Sequence, residues 1–158
     1  MYMIKEVRHI GISVTDMNKS LKFYKDLLGF KIEREMNESG IHIDSMLSLD
    51  NVKVNTVKLS ISETNNTLIE LLQFISHPNI SGKSDITKIG TSHFALTVNN
   101  LDQLYSKLKN NGINFNSSPQ LSPDGYAKVA FCLDPDNTLI ELVEVLDTSI
   151  IEKPKGEE

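Results

Sequence analysis

Apolar residues alternate with small or polar ones along RHIGISV (8–14) and again along SHFALTV (92–98), the period of a half-buried strand. In the first stretch Ile10, Ile12 and Val14 share one face, leaving His9, Gly11 and Ser13 on the other. In the second, Phe94, Leu96 and Val98 oppose His93, Ala95 and Thr97. The period then changes. Met17, Leu21, Tyr24 and Leu28 recur at helical spacing, as do Leu101, Leu104, Tyr105 and Leu108. Asp16 and Asn100 are N-cap residues for these helices, and Gly29 and Gly112 are their natural terminators. Four β-rich stretches follow, near 53–61, 67–74, 126–133 and 138–145, bounded by turn residues such as Asn65-Asn66 and Asp136-Asn137.

The two halves are copies of one pattern. Aligned on His9 and His93, each runs strand, polar turn, amphipathic helix, glycine, strand; later LIELLQF (68–74) matches LIELVEV (139–145), placing Glu70 opposite Glu141. Helices alternating with antiparallel strands predict an α+β fold of two βαβββ modules. The expected division is 1–74 for the first module, 75–90 for a polar linker, 91–146 for the second module and 147–158 for a flexible tail. His9 to Glu70 spans 61 residues and His93 to Glu141 spans 48, so the first copy carries 13 more. The excess falls near 36–55 and predicts an added loop or short helix.

Composition narrows the function without naming it. With 39% hydrophobic and 23% charged residues, the chain is too apolar for disorder. Its net charge of −5 carries no basic cluster, which argues against nucleic acid as a partner. No apolar run approaches the roughly 20 residues that span a bilayer. No basic stretch precedes an apolar one at the N-terminus, so no signal peptide is expected. A single cysteine, Cys132, excludes an internal disulfide and suits a reducing cytoplasm, the expected location.

Four residues stand out from this background. His9 and His93 each begin a strand face of small or polar side chains, a face suited to a cavity. Glu70 and Glu141 each lie inside an apolar strand, where a carboxylate is costly unless paired or metal-bound. Singly, each has an ordinary structural explanation. Their equivalence in both copies favours function: two neutral imidazoles and two carboxylates would neutralise one divalent cation and leave coordination positions for water or substrate. With N and O ligands and no thiolate, Zn, Ni, Co, Mn and Fe(II) all fit.

The stretches HIGISVTDMNKSLKFYKDLLGF, IELLQF, SHFALTVNNLDQLYSKLKNNG and AFCLDPDNTLIELVE resemble the vicinal oxygen chelate superfamily. That superfamily includes glyoxalase I, methylmalonyl-CoA epimerase, extradiol dioxygenases and the bleomycin and fosfomycin resistance proteins. Its DPDG turn is here DPDNT, with Asn137 in the glycine place, a residue that tolerates a left-handed backbone. The resemblance implies paired modules forming a cupped mixed sheet around one metal, with ligand positions at His9, Glu70, His93 and Glu141. It also implies a glyoxalase-type lyase, isomerase or epimerase acting on a small oxygenated substrate, as a homodimer. Proton transfer would pass through a metal-chelated enediolate or enolate, with Glu141 or Glu70 as base.

Two departures bear on the substrate. Glyoxalase I carries an Arg four residues after the first ligand and an Asn four after the second; here these are Ser13 and Phe74. Both losses weaken the case for a glutathione adduct. The alternative is a non-catalytic small-molecule or drug-binding protein of the same fold, whose resistance-type members usually lack the metal ligands. His42, His77, Asp44 and Arg34 are read as ordinary loop or strand-end residues, Cys132 as a buried inert thiol, and LSPDGYAK (121–128) as either a flap or a plain hairpin.

Overall fold

The alternation around His9 becomes strand β1 (His9–Ser13), and the helical spacing after it becomes α1 (Met17–Leu21), which continues as a π-helical stretch over Lys22–Leu27. In this computed structural model residues 3–62, 64, 66–78, 82, 85–87 and 89–146 are described. The expected tail, Asn65 and part of the expected linker lie outside them. Clustering of contacts divides the chain into two compact units, Met1–Gly82 and Lys83–Glu158.

In the first unit, β1 and α1 are followed by β2 (Lys31–Ser39), α2 (Ile41–Leu47), β3 (Lys53–Ser60) and β4 (Leu68–Phe74). The sheet order is β1-β4-β3-β2, with β1 parallel to β4 and the other neighbours antiparallel. Asp16 accepts the Lys19 amide to cap α1, and Gly29, at a φ of 85°, turns the chain out of the helical segment. Cross-strand partners share a face, so Ile12, Leu71 and Val57 stack in one row. All three are buried, as are the adjoining Val14, Leu59 and Ile69. Phe23, Tyr24 and Phe30 pack edge to face within the same unit. The 13-residue excess is α2 and its flanks; Ile43 joins Val52 and Val54 in a small cluster closed by Leu72 and Phe74.

The second unit repeats the plan with β5 (Phe94–Thr97), α3 (Leu101–Asn110), β6 (Gln120–Leu121), β7 (Ala127–Leu133) and β8 (Leu139–Val145), in the order β5-β8-β7-β6. β5 is parallel to β8. Phe94, Ile140 and Cys132 form one buried row, and buried Leu142 and Ala130 the next, with half-buried Leu96 at its end. Asn100 caps α3 by accepting the Gln103 amide. In the turn Asp134–Thr138 the Asp134 carboxylate accepts the amides of Asp136 and Thr138, and Asn137 takes a φ of 67°. Each unit is thus a four-stranded mixed sheet with its own helix, the expected α+β architecture.

Candidate functional site

Residues on the face of the first sheet that is turned away from Leu71 and Leu59 gather around one glutamate. Glu70 is flanked in register by Gly11 on β1 and Lys58 on β3. The His9 Nε2 lies 3.0 Å from Glu70 Oε2, and the Lys58 Nζ lies 3.4 Å from Glu70 Oε1. Glu70 has only 12% of its side chain exposed, so the apolar strand does shelter its charge. A cavity of about 480 Å³ opens over this face. His9, Glu70, Lys58 and Glu38 form its polar part, while Met36, Ile43, Met46, Leu47 and Leu72 wall the rest. A Cβ at Gly11 would stand 3.4 Å from a methyl of Leu72.

The second unit builds the same pair on different neighbours. His93 Nε2 lies 3.3 Å from Glu141 Oε2, and Glu141 is flanked in register by Ala95 and Phe131. The Phe131 ring meets the His93 imidazole edge to face at 5.3 Å. Ser92 Oγ lies 2.9 Å from His93 Nδ1, leaving the Nε2 side to Glu141.

Two ligands held at about 2.0–2.2 Å from one cation stand roughly 3.0–3.5 Å apart at right-angled or tetrahedral geometry. Both His–Glu separations fall in that interval, and the donors are imidazole nitrogen and carboxylate oxygen. Each pair therefore fits half of a divalent-cation shell. The four candidate ligands come as two pairs, one per unit; among the described residues no group of three or more His, Cys, Asp and Glu side chains is placed to hold a metal.

Several features of the site were not readable from strand parity. A bulge between Ile32 and Arg34 shifts the β2 register by one residue, so Ile32 pairs with Leu59 but Arg34 pairs with Lys58. That slip turns Arg34, Met36 and Glu38 onto the face of Glu70. Lys58 was also missed, although its spacing from Val54 and Thr56 put it on one strand face with them. Three residues after each glutamate, Gln73 and Glu144 perform matching structural tasks. Gln73 accepts the Met17 amide and donates to the Thr15 carbonyl, and Glu144 accepts the Leu101 amide, so each caps the start of its unit's helix.

The remaining candidates have structural occupations. Asp44 accepts the amides of Asn51 and Val52 and closes the chain after α2. His42 is exposed on α2 and does not line the cavity. His77 Nδ1 lies 2.8 Å from Ser76 Oγ. The 121–128 segment is a tight hairpin, with Ser122 and Ala127 joined through both backbone and side-chain bonds. Lys128 donates to Asp102 at 2.6 Å, which raises the lysine pKa. Phe74, in the place of the glyoxalase I asparagine, is packed against the Ile43 cluster.

Comparison with known proteins agrees with this architecture. Residues 6–142 match the Glyoxalase/Bleomycin resistance protein/Dioxygenase superfamily. The chain belongs to that superfamily. It is 32% identical to the lactoylglutathione lyase of Schizosaccharomyces pombe across 96% of its own length and 50% of that protein, so it spans half of this relative. It is 29% identical to the probable lactoylglutathione lyase of Synechocystis sp., over 86% of this chain and 92% of that protein. A glyoxalase family protein from Bacillus cereus superposes with a TM-score of 0.80 at 20% identity, covering 93% of this chain and 99% of that one.

Proposed function

We propose that the protein is a divalent-metal-dependent lyase or isomerase that moves a proton between carbons of a small oxygenated substrate. The observation that supports this most directly is the recurrence of one His–Glu pair, at 3.0 and 3.3 Å, in equivalent register positions of both units. The lactoylglutathione lyase names of relatives near 30% identity favour the lyase class.

His9, Glu70, His93 and Glu141 would hold the cation, which supplies Lewis-acid polarisation of a substrate carbonyl or hydroxyl when bound. Glu141 is the proposed base. Its flanks are Ala95 and Phe131, with no cation opposite it in register, whereas Glu70 carries Lys58 on its second oxygen. Glu141 takes the proton from the carbon beside the polarised oxygen and returns it to the neighbouring carbon. Phe131 packs edge to face on the His93 ring and so orients it.

We further propose a homodimer, in which the two half-sites of a complete ligand set come either from one chain or from different copies. Metal analysis of the purified protein is expected to give about one divalent ion per chain, lost in both His9→Ala and His93→Ala. Mixing those two variants in equal amounts, with exchange of subunits, restores one site in each mixed dimer, about a quarter of all sites, if the halves belong to different copies, and none if they belong to one. Protein that neither carries nor takes up metal overturns the enzyme proposal.

A further inference from the structure

Beside the paired glutamates the two units differ in charge at one register position. Opposite Glu70 the next strand presents Lys58; opposite Glu141 it presents Phe131. The Lys58 side chain is only 20% exposed, and among the described residues Glu70 is the sole carboxylate within 4.0 Å of its ammonium. Glu38 lines the same cavity, but its carboxylate is engaged by the Thr56 hydroxyl at 3.1 Å. Glu70 is thus the nearest countercharge of Lys58, and Glu38 is a second carboxylate in the same cavity.

A cation taken up by Glu70 competes for that countercharge. It leaves a sheltered ammonium beside a second positive centre, which is unfavourable unless another anion enters. The cavity bounds what that anion can be attached to. Beyond His9, Glu70 and Lys58 its polar wall is Glu38 and Thr56, whose hydroxyl is already spent on the Glu38 carboxylate, and the rest is sulfur and aliphatic carbon from Met36, Ile43, Met46, Leu47 and Leu72. One ammonium, with the Glu38 carboxylate nearby, matches a single negative charge better than a dianionic phosphate.

On the strength of the metalloenzyme proposal above, we infer that Lys58 is the specificity-determining anchor for a monocarboxylate ligand. That ligand is a 2-oxo or 2-hydroxy acid whose aliphatic substituent lies along Met36, Ile43 and Met46. Lys58 binds the carboxylate, and the bulge in β2 and helix α2 supply the apolar seat.

The test uses the full chain loaded with cobalt(II), with metal binding measured first for every variant and ligand binding followed by calorimetry and by the cobalt visible band. The probes are 2-oxooctanoate, its uncharged partner 2-oxooctanamide, and pyruvate. Wild type is expected to bind 2-oxooctanoate about tenfold or more tighter than the amide, and tighter than pyruvate. Lys58→Met is expected to bind cobalt at least as well as wild type while losing the preference for the acid; Lys58→Arg keeps it. If Lys58→Met does not fold by circular dichroism, Lys58→Gln takes its place. Equal binding of acid and amide by wild type, binding of neither, or a preference that survives removal of the ammonium overturns the inference alone. Failure of wild type to take up cobalt overturns the metal-centre proposal first.

Discussion

At the residue scale, the pairs His9–Glu70 and His93–Glu141 were legible because strand parity and the internal repeat both pointed at them. Gln73 and Glu144 were not, since an amide or acid at the end of a β-strand gives no signal until a helix start is seen against it. Their shared task makes a direct prediction. Gln73→Ala and Glu144→Ala each strip an acceptor from a helix N-terminus and should cost about 1 kcal/mol in urea denaturation. Cys132 offers a second. Burial, with a smaller contribution from Asp134, pushes its thiol pKa up to about 12. The native protein should therefore resist iodoacetamide at pH 8 and react fully once unfolded. An unfolded thiol ionises near pH 8.5. The stability held by the protonated folded thiol is thus complete below that pH and falls as pH rises toward 12; Cys132→Ala should flatten this decline in denaturation midpoints across that range.

At the element scale, the pattern of residues foretold α3 and strands β3, β4, β7 and β8 within a residue or two, and placed the extra segment of the first copy where α2 lies, but it did not foretell that α1 turns π-helical after Leu21 or that β2 runs on to Ser39. It did not foretell the bulge at Ile32/Arg34, because one inserted residue inverts every later side chain without changing the alternation itself. Nor did it foretell how short β6 is: two residues against nine in β2, with Phe115 joined to Cys132 as an isolated bridge. The region after α3 has few alternating apolar residues to extend it. Helix α2 leaves Ile41 and Met46 exposed and is tied at its end mainly through Asp44. Asp44→Ala removes both acceptors at once and is expected to cost 1–2 kcal/mol. Hydrogen exchange should accelerate at Asn51 and Val52 while the β7–β8 amides stay protected.

At the scale of the whole molecule, a cation bound only by the folded protein stabilises it by mass action. At a hundredfold excess over Kd the gain is about 2.7 kcal/mol. A thermal melt should therefore rise with added cobalt in wild type and stay fixed in His9→Ala and His93→Ala. A rise that persists in both variants would place the metal elsewhere. Among the described residues no helix is long and apolar enough to cross a membrane.

The parallel pairing of β1 with β4 has a consequence for biosynthesis. β2, β3 and β4 are joined to near neighbours in the chain, but the strand that begins with His9 bonds only to one that begins with Leu68. While the ribosome is still making the intervening segment, that first strand has no partner, and a long loop must close before it gains one. The order of events is then hairpins first and the N-terminal strand last. The His9–Glu70 pair is then assembled at the end of folding, and a nascent chain released before residue 74 lacks the complete strand that β1 needs as its partner. Ile12→Val should speed unfolding far more than it slows folding, whereas Leu59→Ala in the hairpin should slow folding.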